Sequence, residues 1–273
     1  MKHSFLHSLL LICQFELKRL FFTKKGWLYL ITFAVVWYFI LIYPIRFAAE
    51  VLGQGQNGAR GGNFFEFIGF SSLLNWQIPE LGVFWRFALV MFPGLSVMIA
   101  ADQTCSDRER GTLRFLASRS SRDSIFFGRF IGAMVIQAVL IFAALLTTLV
   151  LVMYRDGTLL SIALNSALAI AVSLILALLP FTAMMAALSA LVKSARQATV
   201  WAILIWSFLA GIISGLSYYL PGLDIMKILI PGYQMAELAQ LSEWNTLQPA
   251  YIPLFQTVVL LILGRWIMSR QTL

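Results

Sequence analysis

Apolar residues run in long blocks along this chain, and each block is closed by a charged or turn-forming stretch. A hydrocarbon core about 30 Å thick needs roughly 20 mainly apolar residues per helix. Six segments meet that length: about 26–45, 83–101, 128–153, 163–192, 198–220 and 250–268. The pattern predicts an all-α integral membrane protein with six transmembrane helices. An even number of spans puts both termini on one side.

Ahead of the first span the period changes. Leu6, Leu9, Leu10, Cys13, Leu17, Leu20 and Phe21 recur at the spacing of one helical face, with Ser4, Gln14 and Lys18 opposite. Residues 1–25 therefore read as an amphipathic helix lying in the membrane interface. The other reading, a first span that begins early, has to accommodate Lys18, Arg19, Lys24 and Lys25. Phe5 to Phe15 runs into Glu16, Lys18 and Arg19 without a small-residue cleavage site, so this segment is expected to stay in the mature chain.

Between the first two spans, GQGQNGARGG (53–62) is too glycine-rich for a fixed structure, whereas FFEFIGFSSLLNW (64–76) has the aromatics to pack under a membrane surface. PGLDIMKILIPGYQMAEL (221–238), bracketed by Pro-Gly turns, predicts a matching short helix before the last span. Together these segments could cap the outer mouth, and neither has the length of an independent domain, so an extracytoplasmic accessory protein would be another polypeptide. Within the spans, Pro93-Gly94 and Pro180 weaken backbone hydrogen bonding and mark either hinges or static kinks. GIISG in the fifth span sets Gly211 and Gly215 one turn apart with Ser214 between them, a face for close helix approach within the chain or between two copies.

Composition agrees with the membrane reading: 60% of residues are hydrophobic, 12% are charged, and mean hydropathy is +0.84. Charge then sets the orientation. The side with the termini carries 15 Lys and Arg and 5 acids, the other side 5 and 7, so the termini are expected in the cytoplasm. The excess of +8 reads as topology and contact with membrane lipid, not nucleic-acid binding. Cys13 and Cys105 fall on the reducing side and read as structural, and His3 and His7 lack a third metal ligand. No phosphate loop, nucleophile elbow, zinc-protease motif or carboxylate cluster occurs, so the chain is not expected to be an enzyme by itself and holds no catalytic, cofactor or metal site. The near absence of ionisable residues inside the spans weighs against the alternatives of an ion-coupled secondary transporter or channel. A membrane assembly or scaffold protein is the third class.

The polar segment between the second and third spans carries the most specific signal. DRERGTLRFLASRSSRDSIFFGR runs from Asp107 to Arg129, and Leu113, Phe115 and Leu116 among Asp107, Glu109, Arg110 and Arg114 predict a short amphipathic helix along the membrane surface. Gly111 permits a positive-φ turn or close approach of a partner backbone. The pattern acid-x-acid-x-Gly-Thr-Leu, followed by Leu116, Arg122, Ile125, Gly128 and Arg129, resembles the permeases of ATP-binding-cassette exporters of the second type. Met98 to Ala101 ahead of the loop and LSALVKSARQAT after the fourth span extend the likeness. The chain departs from it at Arg114, where a second acid is frequent, and at Arg119 to Ser121, where proline is common.

That resemblance implies that residues 1–273 form a single ABC-2-type transmembrane domain in a bacterial inner membrane. It implies a coupling helix, with Asp107, Glu109, Arg110, Gly111, Thr112, Leu113, Leu116 and Arg122 at the contact with a separate cytoplasmic ATPase that binds ATP and Mg²⁺. An ordinary interfacial loop is the plain alternative. It also implies two permeases with two ATPases, a dimer and pathway face near Gly211, Ser214 and Gly215, and export of an amphiphilic, lipid-linked or hydrophobic substrate by alternating access.

Overall fold

The computed structural model describes residues 5–47, 76–219 and 226–270. The glycine-rich 53–62 stretch, all of 64–76 except Trp76, and the start of the 221–238 segment lie outside the described residues. No strand occurs among those described. The helices are α1 Phe5–Phe22, α2 Lys24–Ile40, α3 Pro79–Ala100, α4 Cys105–Glu109, α5 Thr112–Arg119, α6 Arg122–Arg155, α7 Leu160–Leu191, α8 Ala195–Tyr219, α9 Met235–Leu238 and α10 Tyr251–Arg270. Six of them, α2, α3, α6, α7, α8 and α10, are long and apolar enough to cross a membrane.

The fourth span, α7, is the hub. It is apolar on every side, as a helix surrounded by other helices must be, and it packs against α10, α6 and α3. Small residues permit that density: Ala163, Ala169, Ala177 and Ala183 are almost completely buried, so neighbouring backbones come close. α6 has 34 residues and so is about 51 Å long at 1.5 Å per residue, which carries both ends beyond the hydrocarbon layer. Burial falls off outward. In their most apolar stretches, 50% of the third span and 56% of the fourth are buried, against 17% of the first and 11% of the fifth.

Aromatic packing seats the first span on the second, with Trp37 edge-on to Phe84 at 4.9 Å and Phe33 edge-on to Phe92 at 6.0 Å. α2 then widens into a π-helical turn at Leu41–Ile45 around Pro44, a break that apolar length alone does not reveal. By contrast α3 and α7 run through Pro93-Gly94 and Pro180 without a change of helix type. A buried polar clasp lies beside both prolines. The Gln137 amide donates to Ser96 Oγ at 3.1 Å and Thr182 Oγ1 at 3.0 Å, and those two hydroxyls meet at 2.9 Å. It ties the second, third and fourth spans together close to these prolines.

At the outer end, the described part of the 221–238 segment holds a short helix at Met235–Leu238, preceded by tighter turns and followed by another up to Ala250. A 3-10 turn at 226–229, a turn at Pro231-Gly232 with Gly232 at φ 91°, the single turn α9 and a 3-10 stretch Glu243–Ala250 follow one another. Side chains from the spans hold them: Trp85 Nε1 donates to Leu238 O, Trp206 Nε1 to Pro231 O, and the Gln256 amide to Ile228 O and Ile230 O, while Ser173 bonds to Thr246 and Asn165 accepts from Trp244. Pro231-Gly232 separates the first of these turns from the short helix.

Candidate coupling site at the cation-rich face

α1 lies against the third span, and the reason is a pair of glycines one turn apart. A Cβ on Gly128 would stand 3.0 Å from Ile12, and one on Gly132 would stand 3.0 Å from Glu16. The groove they leave receives α1, a use of small residues identical in spacing to the Gly211 and Gly215 pair. This corrects the apolar face expected of α1. Ser8, Cys13 and Leu20 are buried and Glu16 is half-buried, while Leu10 and Phe21 face outward. The partner of Glu16 decides the rotation, because Arg129 sits between the two glycines on α6.

Arg129 is 4% exposed in its side chain and is gripped from two directions, by Glu16 of α1 and by Asp107 of α4. Arg19, one turn along from Glu16, pairs with Asp102 and stands 3.8 Å from Glu16. Burial raises the Glu16 carboxyl above its ordinary range even though Arg129 and Arg19 pull it down. Burial acts to lower the Arg19 guanidinium, but Glu16 and Asp102 together hold it above its ordinary value. These five side chains join α1, the end of the second span and the start of the third.

The loop between those spans is a corner of two short helices. Gly111 turns it at φ 71°, and a Cβ there would meet nothing within 4 Å, so the glycine serves the turn and not a close approach within the chain. Thr112 Oγ1 donates to Asp107 O and Oδ1, both at 3.2 Å, which closes the corner. Leu113 is buried among Ile125, Phe126, Ala186 and Met268, and Leu116 packs half-buried beside it. Ser121 then caps α6, accepting from Ser124 N at 3.1 Å.

Two arginines bond to helix ends here, Arg108 from the corner itself and Arg122 from the first residue of α6. Arg108 donates to Leu191 O and Val192 O, each at 3.3 Å, and to Ala190 O, at the C-terminus of α7. Arg122 donates to Ser269 O at 2.9 Å and Met268 O at 3.5 Å, at the C-terminus of α10. Each satisfies orphan carbonyls and meets the negative end of a helix dipole. Arg265 adds a paired contact with Asp123, at 2.8 and 3.1 Å.

Several residues of the corner remain solvent-facing. Phe115 is 76% exposed, and Glu109, Arg110, Gly111, Thr112, Arg114 and Arg119 on the same two short helices and their turn are exposed as well. The expected coupling residues thus divide by direction. Glu109, Arg110, Gly111 and Thr112 face out, Leu113 and Leu116 face in, Arg122 is spent on the last span, and Asp107 turns inward to Arg129. Asp107 was expected at the outer contact. Its inward turn follows from the buried guanidinium, which needs a counter-charge. Glu16, Arg19 and Arg108 were not expected at the site. Glu16 alone left a signal, being the sole acid in residues 1–25.

Gly211 and Gly215 lie elsewhere, on the exposed side of the fifth span, where an added Cβ would meet nothing within 4 Å among the described residues. Cys13 and Cys105 are buried free thiols. No group of three possible metal ligands occurs among the described residues.

A family model for ABC-2 family transporter proteins matches residues 11–265, nearly the entire chain. The chain belongs to the ABC-2 transporter family. It is therefore a multi-pass membrane subunit of an ABC transporter, and its polar corner between the second and third spans lies within the matched region. No curated protein matches this ABC-2 permease in sequence.

Proposed function

We propose that this ABC-2 permease belongs to an ATP-driven exporter of a bacterial inner membrane and docks through its α4–α5 corner onto a separate ABC ATPase, which binds ATP and Mg²⁺. The cation-rich face and both termini are cytoplasmic, by the excess of Lys and Arg on that side. One observation carries the reading: Phe115 stands exposed among charged residues on a corner whose other face is bonded to the fourth span by Arg108 and packed beside the third and sixth by Leu113. An aromatic anchor in a charged rim is the composition of an interface hot spot. Movement of the ATPase pushes the corner, and the push enters the third span through Leu113 and the fourth through Arg108, and passes from the start of the third span to the sixth through Arg122.

Two permeases and two ATPases complete the pore, since the first and fifth spans are the least covered by their own chain. The face with Gly211, Ser214 and Gly215 then lies near the two-fold axis. The apolar spans support an amphiphilic, lipid-linked or hydrophobic substrate moved by alternating access.

The test is co-purification of the tagged chain with its ATPase. Phe115→Asp should reduce ATPase retention by about 30-fold or more, the scale of losing a hot-spot anchor, while the permease still inserts. ATP hydrolysis by the purified permease alone, or full ATPase retention by the Asp variant, contradicts the proposal.

A further inference from the structure

Between α1, the end of α3 and the start of α8 lies a cavity of about 570 Å³, within the range of small-molecule sites. Five cations line it against two acids. Arg19 and Arg129 are committed to the ion pairs described above. Lys24, Arg110 and Arg196 are exposed at its wall and carry no ion pair among the described residues. The chamber therefore has a cationic surplus that the fold does not use.

A second cavity of about 220 Å³ adjoins it, deeper between the first and second spans. Its wall is almost wholly apolar, with Phe33, Trp37, Phe92 and Leu95 among the lining side chains. The two share Leu20, Tyr29, Met98 and Ile99 as a common wall, with an aromatic ring at the boundary. Tyrosine at a polar-apolar boundary is the arrangement of a membrane interface. A charged chamber over an apolar slot matches a molecule with an anionic head and a hydrocarbon tail.

We propose that the two cavities form one binding site for a phosphate-bearing amphiphile of the cation-rich leaflet, its head beside Lys24, Arg110 and Arg196 and its tail in the slot between α2 and α3. The site deepens the export reading by naming the substrate's chemical class, yet binding is measured without ATP or transport, so the two can fail separately. Phosphate is the shared chemistry of a lipid headgroup and of a free phosphate compound. The slot assigns the lipid.

Full-length protein in a nonionic detergent is presented with phosphatidylglycerol, phosphatidylcholine, glycerol phosphate and inorganic phosphate in turn, and bound ligand is counted by native mass spectrometry. Phosphatidylglycerol should be retained one per chain and well above phosphatidylcholine. Lys24→Gln with Arg196→Gln should weaken it by about 30-fold, from the usual contribution of a cation near an anionic headgroup. Lys24→Arg with Arg196→Lys should keep it, separating charge from folding. Leu95→Trp, which narrows the slot, should weaken the lipid and leave glycerol phosphate unchanged. Equal retention of the two lipids, indifference to the double Gln substitution, or glycerol phosphate and inorganic phosphate binding as well as the lipid would each overturn the site.

Discussion

Arg129 is the residue on which the cation-rich face turns, because it brings Glu16 and Asp107 together from α1 and α4. Removing one member of a buried charge group strands the others, at a cost of about 3–5 kcal/mol. Arg129→Met should therefore lower unfolding stability in detergent by several kcal/mol, and Glu109→Lys, on the exposed side, should leave it within about 0.5 kcal/mol. Asp107 and Glu109 stand two apart in the sequence and look alike there, but only a folded Arg129 distinguishes them. Glu16 adds a pH signature. Its folded carboxyl titrates above its unfolded value because it is buried, so the folded chain keeps a proton that the unfolded chain has lost. The stability from this group is complete below the ordinary carboxylate range and declines as pH rises through the raised value. Thermal melts from acid to neutral pH should show that decline in the parent protein, and Glu16→Gln should remove it.

At the scale of elements, two glycine pairs of identical spacing have opposite surroundings. GRFIG, with Gly128 and Gly132, receives α1, whereas GIISG, with Gly211 and Gly215, meets nothing among the described residues. Spacing announces that a helix can approach, not which helix does, and that is why the fifth-span pair was legible as a face while Gly128 passed for part of a loop motif and Gly132 stood outside it. Gly128→Leu should displace α1 from the third span, read as increased hydrogen exchange over Phe5–Phe22. Gly211→Leu with Gly215→Leu should leave that exchange unchanged and shift the complex toward single permeases on size-exclusion chromatography. A two-copy assembly that survives the double substitution in both detergent and lipid would place the dimer contact elsewhere. An engineered Ser214→Cys crosslink within that assembly would agree with a two-fold axis near this face.

For the whole molecule, six apolar blocks made the six spans legible, since their length is dictated by the bilayer and not by any partner. The spans extend beyond the apolar blocks where polar ends form helix too, as at Arg122 and Arg155 on α6. The π-turn at Pro44 and the broken 226–250 segment were less legible, because local helix type depends on what the backbone groups find to bond. The fastening of the corner was not legible at all: Arg108 reaches carbonyls 82 to 84 residues away, and Arg122 reaches one 147 residues away. Periodicity carries no information about partners at that distance. Yet these contacts turn a loop into a rigid input to three spans. Replacing Arg108 and Arg122 by Gln should leave ATPase retention intact while reducing transport-linked stimulation of its activity.

The most direct measurement puts a photocrosslinking amino acid at Phe115 in cells, with Tyr154 on the opposite face as the control, and identifies the adduct by mass spectrometry. Phe115 is 76% exposed and Tyr154 is 92% exposed, so both are free to react. A docking corner predicts an adduct at position 115 with a protein carrying an ABC ATPase phosphate loop, and none at position 154. An adduct with lipid alone at position 115, or the same ATPase at position 154, would contradict it.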